Sequence, residues 1–167
     1  MSGDLEITAK VVGIEDFREA LMSIPNKLRR RALRNALAKG ARVVRDAIKA
    51  STPVMAGNMK APYRKPGTVR DAIAVRTSKR DTAAGDVGVF VNVRPAKGDN
   101  VGGKNPNDPF YWRFINFDHR SRAGNLIPGK HFLEKGAGVL DQALTVFEAD
   151  LGPQIQRLED SHGKDPL

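Results

Sequence analysis

The chain contains no cysteine, which excludes disulfide bonds, thiolate nucleophiles and cysteine-ligated metal sites together. Its three histidines, His119, His131 and His162, show none of the HxxxH or HExxH spacings that place two zinc ligands on one helix face. An apolar run of about 18 residues occurs nowhere, and the first residues lack a basic segment followed by an apolar one. We therefore expect no metal, no cofactor, no membrane span and no signal peptide.

Motifs of known enzymes are missing as well. The glycine-rich stretches 85–88 and 98–103 lack the strand-to-helix context of a phosphate-binding loop, and no nucleophile elbow occurs. One enzymatic hypothesis is a nuclease built on Asp118, His119 and Arg120. The simpler interpretation of these adjacent residues is a solvent-exposed polar loop. We therefore expect that the protein is not an enzyme.

Positive charge is concentrated in one part of the chain. The net charge is +9, and residues 26–80 carry 16 basic and 2 acidic side chains. By contrast, residues 1–25 carry 2 basic and 5 acidic side chains, and residues 81–167 carry 10 and 12. Such a basic segment predicts an anionic neighbour, which is nucleic acid, an acidic protein surface or a membrane face. The alternative is a solvated helix face whose long basic side chains cover apolar surface.

Residues 25–50 are predicted to form one long amphipathic helix. Pro25 suits its first turn, and Pro53 disfavours helix in the residue before it. Apolar side chains on one side are expected to face the core, and they are Leu33, Leu37, Val44 and Ile48. The opposite side carries the basic stripe, which we predict to face an anionic partner, and its members are Lys27, Arg31, Arg34, Arg42, Arg45 and Lys49.

The other segments predict an α+β fold. Period-two alternation predicts a strand at 5–11, and apolar spacing predicts a short helix at 14–24. Two further strands, at 69–79 and 86–94, are expected to form a hairpin around a turn at 81–85. We expect the long basic helix and a C-terminal helix to pack on this small antiparallel sheet.

Two extended loops, near 51–67 and 95–108, are rich in glycine and proline and lack an apolar anchor along most of their length. We predict that they grip a partner. The residues proposed for this contact are Tyr63, Arg64, Lys65, Lys97 and Lys104. The aromatic segment 110–117 is expected to form a short helix that belongs to the core, although its spacing also fits a strand. The alternative to a core role is stacking on single-stranded bases.

The C-terminal part begins with a predicted polar loop at 118–130. A long helix is expected to begin near His131, to bury a seam of side chains as far as Leu151, and to end at Gly152-Pro153. The sequence therefore predicts one α+β domain over 1–152 and a tail over 153–167.

Three motifs, in this order, carry a family resemblance. Residues 52–59, TPVMAGNM, resemble a helix-ending Pro-Val followed by Thr-Gly-Asn-Leu, and residues 111–117 resemble an aromatic stretch ending Phe-x-Glu-Phe-Gly. Residues 127–137 resemble a Pro-x-x-Pro-Phe-Leu-x-Pro-Ala turn into the last helix. Over about residues 10–150 the chain is similar to the gene-product-ten-like family of long-tailed bacteriophages (siphoviruses), which are tail-component, tail-completion or head–tail joining proteins. Asn116 stands where the family has an acidic residue.

This resemblance implies a non-enzymatic virion protein, assembled in the bacterial cytoplasm, whose copies form a ring at the head–tail junction. Its implied partners are itself, connector or portal-side proteins, and tail-tube or tail-terminator proteins. The basic stripe would then face either the DNA channel, where only sequence-independent phosphate contacts are tolerated, or an acidic patch on an adjacent ring. The alternative function is a free-standing, sequence-independent DNA-binding protein that uses the basic helix 26–50.

Overall fold

A computed structural model of the protein describes residues 22, 25–56, 64–97 and 101–162. The order of its helices and strands is α1 (Asn26–Ser51), α2 (Thr68–Ala72), β1 (Ile73–Thr77), α3 (Lys79–Ala84), β2 (Val89–Val93), α4 (Trp112–Asn116), β3 (His119–Arg120), β4 (Leu126–Ile127), a 3-10 helix (Glu134–Val139) and α5 (Leu140–His162). These elements confirm the α+β class. The strand predicted at 5–11 and the helix predicted at 14–24 lie outside the described residues, except for Met22, which is helical and exposed.

Helix α1 confirms the predicted basic helix. It begins directly after Pro25, whose carbonyl accepts a hydrogen bond from the amide of Leu28 at 2.9 Å. Beyond its last turn, the Thr52 hydroxyl donates to the carbonyl of Ile48 at 2.7 Å. Because that hydroxyl takes up a carbonyl that has lost its helical partner, and Pro53 follows, the helix ends here.

The chain divides into two compact units. Among the described residues, the first consists of 22, 25–43, 77–89 and 140–162, and the second consists of 44–56, 64–76, 90–97 and 101–139. Helix α1 contributes residues to both. The division into a domain over 1–152 and a tail over 153–167 stays a prediction.

In the first unit, α1 and α5 pack against each other. Gly40 allows the close approach, since a Cβ atom there would lie 2.6 Å from the carbonyl oxygen of Ala143. The expected core residues Leu33 and Leu37 are only partly buried, and they pack against the edge of the core. The buried core joins Ala36 of α1 to three side chains of α5. Those three recur every four residues, as expected for ridge-into-groove packing, and they are Phe147, Leu151 and Ile155.

The predicted end of the C-terminal helix at Gly152-Pro153 is wrong. Helix α5 continues through Pro153 to His162. A proline inside a helix costs about 3 kcal/mol, because it removes a backbone hydrogen bond and crowds a carbonyl. Beyond it, Ile155 is buried in the core and Leu158 packs against that core. Burying one such side chain stabilises by about 1.5–3 kcal/mol, so continuing the helix offsets the cost. The predicted helix start near His131 is also wrong, because the 3-10 helix precedes Leu140.

Strands β1 and β2 form the predicted hairpin. The hydrogen bonds that flank it, from Ser78 N to Gly88 O and from Arg94 N to Ala72 O, both 2.8 Å, have the antiparallel pattern. The predicted turn at 81–85 is instead helix α3, because the Ser78 hydroxyl caps its start and Gly85, at φ 92°, ends it. The predicted strand at 69–79 is shorter than expected, since the α2 turn occupies its first residues.

Helix α4 confirms a short helix in the aromatic segment, but the burial there differs from the prediction. Phe114 is exposed, the other aromatic side chains of this segment are half-buried, and the polar Asn116 is fully buried instead. The predicted polar loop at 118–130 is a hairpin, in which β3 pairs with β4 so that His119 lies opposite Ile127. Buried apolar residues of the second unit are Val44, Ile48, Val69, Ile73, Val93, Phe132 and Leu133.

Candidate functional site

The basic stripe lies along α1, where the helical period places its members on one side. Arg45 and Lys49 are half-buried. The other four members are exposed and have no ion-pair partner among the described residues; they are Lys27, Arg31, Arg34 and Arg42. A row of exposed cations on one rigid helix can contact successive charges of a polyanion without reading a sequence.

Arg45 differs from the rest of the stripe because its neighbour neutralises it. Its Nε and Nη2 donate to the Asp46 carboxylate at 2.8 and 3.1 Å, a bidentate pair. This hydrogen bond raises the pKa of Arg45 and lowers the pKa of Asp46. The stripe therefore presents most of its uncompensated charge toward the N-terminal end of α1.

The residues predicted to grip a partner divide into three groups. Tyr63 lies outside the described residues. The guanidinium of Arg64 lies 4.7 Å from the ring centroid of Phe110 and 4.6 Å from that of Tyr111, so cation–π contacts hold it against the protein. The remaining three are exposed and available for a partner; they are Lys65, Lys97 and Lys104.

The described part of the loop near 95–108 is organised around a buried carboxylate. Asp108 is 1% exposed, and its oxygens accept from the backbone amides of Ala96 at 3.2 Å and Gly102 at 2.5 Å. The hydroxyl of Thr68 donates to the carbonyl of Pro106 at 3.0 Å and so ties this loop to the start of α2. Lys97 and Lys104 therefore lie close to backbone amides that Asp108 holds in place.

A cleft of about 380 Å³ on the first unit contains cations that the stripe did not include. Lys39 forms an ion pair there with Asp150, which also accepts from Gln154. Arg42 belongs to both the stripe and the cleft, and Arg157 of α5 lies in the cleft as well. A helical wheel of α1 alone does not reveal this site, because α5 supplies three of its seven lining residues. Its lining residues are Asn35, Ala38, Lys39, Arg42, Asp150, Gln154 and Arg157.

The second unit is more basic than the stripe alone suggested. Its described residues carry 14 lysine or arginine side chains against 5 acidic ones, whereas those of the first unit carry 10 against 7. These cations are scattered over strands, loops and the β3–β4 hairpin, so no periodic signal in the sequence marks them. The positive charge of the described residues therefore extends beyond the stripe.

The proposed nuclease residues do not converge. Asp118 accepts from the amide of Gly129 at 2.7 Å, a bond that lowers its pKa, and the Nε2 of His131 lies 3.3 Å away. His119 instead packs its ring against Phe114, and Arg120 donates to a carbonyl within the hairpin. These three side chains therefore contact different partners and do not form one constellation.

The described residues provide neither a metal-binding cluster nor a membrane-spanning helix. Within 22, 25–56, 64–97 and 101–162, no group of three or more histidine or acidic side chains is placed to hold a metal ion. None of the helices in these same ranges combines the length and apolarity that crossing a membrane requires.

Comparison with known families gives one match. The family HK97-gp10_like, described as "Bacteriophage HK97-gp10, putative tail-component", matches residues 15–117. No curated protein and no solved structure matches the chain. The matched range includes α1, the β1–β2 hairpin and α4, and therefore all members of the basic stripe.

Proposed function

Because the chain belongs to the HK97-gp10-like family of bacteriophage tail components, we propose that it is a non-enzymatic structural subunit of a homo-oligomeric ring at the head–tail interface. Its partners there are other copies of itself, connector or portal-side proteins, and tail-tube or tail-terminator proteins. Its place is the neck or tail of the virion, after assembly in the host cytoplasm.

One observation supports an assembly role more than the others. Four exposed cations of the stripe, Lys27, Arg31, Arg34 and Arg42, lie on a single helix without an ion-pair partner among the described residues. Surface charge that the subunit leaves uncompensated is available to an anionic neighbour in the assembly. That neighbour is either the DNA that passes through the channel or an acidic patch on an adjacent ring.

Neutralising the stripe tests this role. A variant with glutamine at all four positions removes four charges, and a control removes four exposed cations elsewhere, at Lys79, Arg80, Arg94 and Lys135. Each variant is supplied during infection by a phage that lacks the gene. We expect the stripe variant to fold normally but to give separate heads and tails in electron micrographs, whereas the control gives infectious particles. Normal titres from a folded stripe variant would refute the role of the stripe.

A free-standing DNA-binding protein is the second candidate, and the net charge of +9 supports it. It requires tight binding of short duplex DNA by the isolated chain, with log K falling against log salt by about 0.9 per phosphate contact. Light scattering of nuclease-treated protein, at low and high salt and with or without duplex, separates the two functions. A ring-sized oligomer, or a monomer indifferent to DNA, favours the ring subunit. A monomer that binds duplex tightly and releases it in salt favours the alternative.

A further inference from the structure

The β3–β4 hairpin, residues 118–130, has its backbone fixed at both ends. At its base, the amide of His131 donates to the carbonyl of Asn116 at 3.0 Å. At its tip, the amide of Ser121 donates to the carbonyl of Asn125 at 2.8 Å. The base is also tight, because a Cβ atom on Gly129 would lie 2.3 Å from the carbonyl oxygen of Asn116. The hairpin therefore holds its strand side chains in defined positions.

Two strand side chains of the hairpin, and one side chain of the preceding helix α4, are large, apolar and exposed. Leu126 is 64% exposed, Phe114 58% and Ile127 41%. His119 joins two of them, because it lies opposite Ile127 in the ladder and its ring centroid is 5.4 Å from that of Phe114. Successive strand residues face opposite sides, so Leu126 and Ile127 place an apolar group on each face of the hairpin. An exposed apolar surface on a rigid element marks an interaction site, and two apolar faces fit a groove better than a flat surface.

Positive charge borders this apolar surface. Residues 113–131 contain four lysine or arginine side chains, all exposed, and they are Arg113, Arg120, Arg122 and Lys130. The one acidic residue in the same range, Asp118, is already hydrogen-bonded to the amide of Gly129 and contacted by His131. An occupant with carboxylates at its rim would complement this charge, whereas duplex DNA would leave Leu126 and Ile127 against phosphate.

The described surface of a second copy does not supply such an occupant. Its second unit is itself strongly basic, with 14 basic against 5 acidic side chains in the described residues. Among the described residues of its first unit, the exposed large hydrophobic side chain is Met22. The acidic residues exposed along α5, Asp141, Glu148 and Asp160, therefore share the described part of that unit with Met22 as its one exposed large apolar side chain, which is too little to line an apolar groove.

We propose that the β3–β4 hairpin inserts into an apolar groove, bordered by carboxylates, on a different protein of the virion. Leu126 and Ile127 fill the groove from the two faces of the hairpin, and Arg120, Arg122 and Lys130 meet its acidic rim. This proposal rests on the proposed function, because it names the surface by which the subunit joins a neighbour.

Incorporation into particles tests the apolar contact. The full-length double variant Leu126→Ser/Ile127→Ser is compared with the control Val54→Ser/Val101→Ser, whose valines are 45% and 58% exposed outside the hairpin. Each variant is produced in host cells infected by the phage that lacks the gene. The copies of the variant in each particle are then counted by quantitative mass spectrometry. We expect about tenfold fewer copies of the hairpin variant and a change below about twofold for the control, since anchor residues dominate an interface.

The other outcomes are also decisive. Thermal unfolding of both variants should match that of the wild type, because the substituted side chains are exposed. If the double variant does not fold, the single charge reversal Arg122→Glu is tested in its place. Wild-type copy numbers for the hairpin variant, or for Arg122→Glu, overturn the proposal. The wild-type sample tests the proposed function independently of the hairpin. Absence of the wild-type chain from purified particles would refute that function itself.

Cross-linking identifies the occupant. Benzoylphenylalanine is placed at position 126 or, as the control, at position 101 of the full chain, and assembled particles are irradiated. We expect a position-126 adduct on another virion protein, within a segment where apolar residues alternate with aspartate or glutamate. An adduct with a second copy of this chain, an adduct with DNA, or no adduct at position 126 overturns the proposal.

Discussion

Replacing the buried Asn116 by aspartate sets two carboxylates against each other. The Asn116 Nδ2 donates to the Glu134 Oε1 at 3.3 Å, and the Asn116 Oδ1 accepts from the amide of Leu133 at 3.0 Å. An aspartate in the same rotamer keeps the bond from Leu133. It loses the bond to Glu134 and instead places a negative oxygen 3.3 Å from the Glu134 Oε1.

The cost follows from these two changes. A hydrogen bond to a charged acceptor contributes about 1.5–3 kcal/mol. The repulsion is limited because one carboxyl group takes up a proton instead: protonating a glutamate of ordinary pKa, about 4.3, costs about 3.7 kcal/mol at pH 7. The side chain of Glu134 is 33% exposed, so solvent screens part of the repulsion. We expect Asn116→Asp to lower the free energy of unfolding by about 2–4 kcal/mol at pH 7.

The loss should also depend on pH in a defined direction. The folded variant holds a proton that the unfolded chain has released, so the penalty is small near pH 4, grows as the pH rises, and levels off above the folded pKa. Urea unfolding followed by circular dichroism, at pH values from about 4 to 8, measures this dependence. The exposed Asn107→Asp change is the control and should shift stability by less than about 0.5 kcal/mol.

A reciprocal substitution separates this explanation from general disruption. In the double variant Asn116→Asp/Glu134→Gln, the new amide donates to the new carboxylate and restores the polarity of the pair. We expect the double variant to recover most of the lost stability, with the single Glu134→Gln variant completing the cycle. A pH-independent loss in Asn116→Asp, or no recovery in the double variant, would refute the reasoning.

Three further substitutions test the packing, the loop and the hairpin. Gly40→Ala should lower the free energy of unfolding by about 1–3 kcal/mol despite better helix propensity, because its new Cβ meets the carbonyl of Ala143. The control Gly138→Ala, whose Cβ would meet nothing within 4 Å, should be neutral, and equal urea midpoints of the two variants would contradict this. Asp108→Ala should cost about 2–4 kcal/mol and speed proteolysis within its loop, because two backbone amides lose their acceptor; unchanged cleavage would contradict the anchoring role. The lowered pKa of Asp118 stabilises the fold above about pH 4, and this stabilisation is lost as the pH falls through the folded pKa. Asp118→Asn should therefore flatten the dependence of stability on pH in the acidic range, and an unchanged dependence would contradict this role of Asp118.

The elements that could be predicted from the sequence are those whose signals are local. Helix α1 has an amphipathic period and a proline near each end, and its predicted bounds agree with the structure to within one residue. The family resemblance rested on short motifs in the right order, and the match over residues 15–117 confirms it. The predicted break at Pro153 failed because tertiary burial of Ile155 and Leu158 outweighs a local rule.

Features that depend on distant residues could not be predicted. The cleft needs Lys39 and Arg157, which lie on different helices, so no spacing along the chain relates them. Asn116 is buried because Leu133 and Glu134 supply its hydrogen-bond partners, whereas its own segment suggested an aromatic core. Four of the six members of the basic stripe are exposed, as the helical wheel predicts, and two are half-buried. The partner that the stripe faces stays a prediction.

The composition of the first unit has a consequence for how the protein is made. Its core joins Ala36 on α1 to Phe147, Leu151 and Ile155 on α5, side chains that leave the ribosome more than a hundred residues apart. Contacts of such long sequence separation form slowly, and they cannot form before the last helix is synthesised. A chain that is cut short before α5 lacks most of this core, so the part of α1 up to Val43, which carries four of the six members of the basic stripe, loses the helix that it packs against. Translation thus makes completion of α5 a condition for displaying the surface that we propose for assembly.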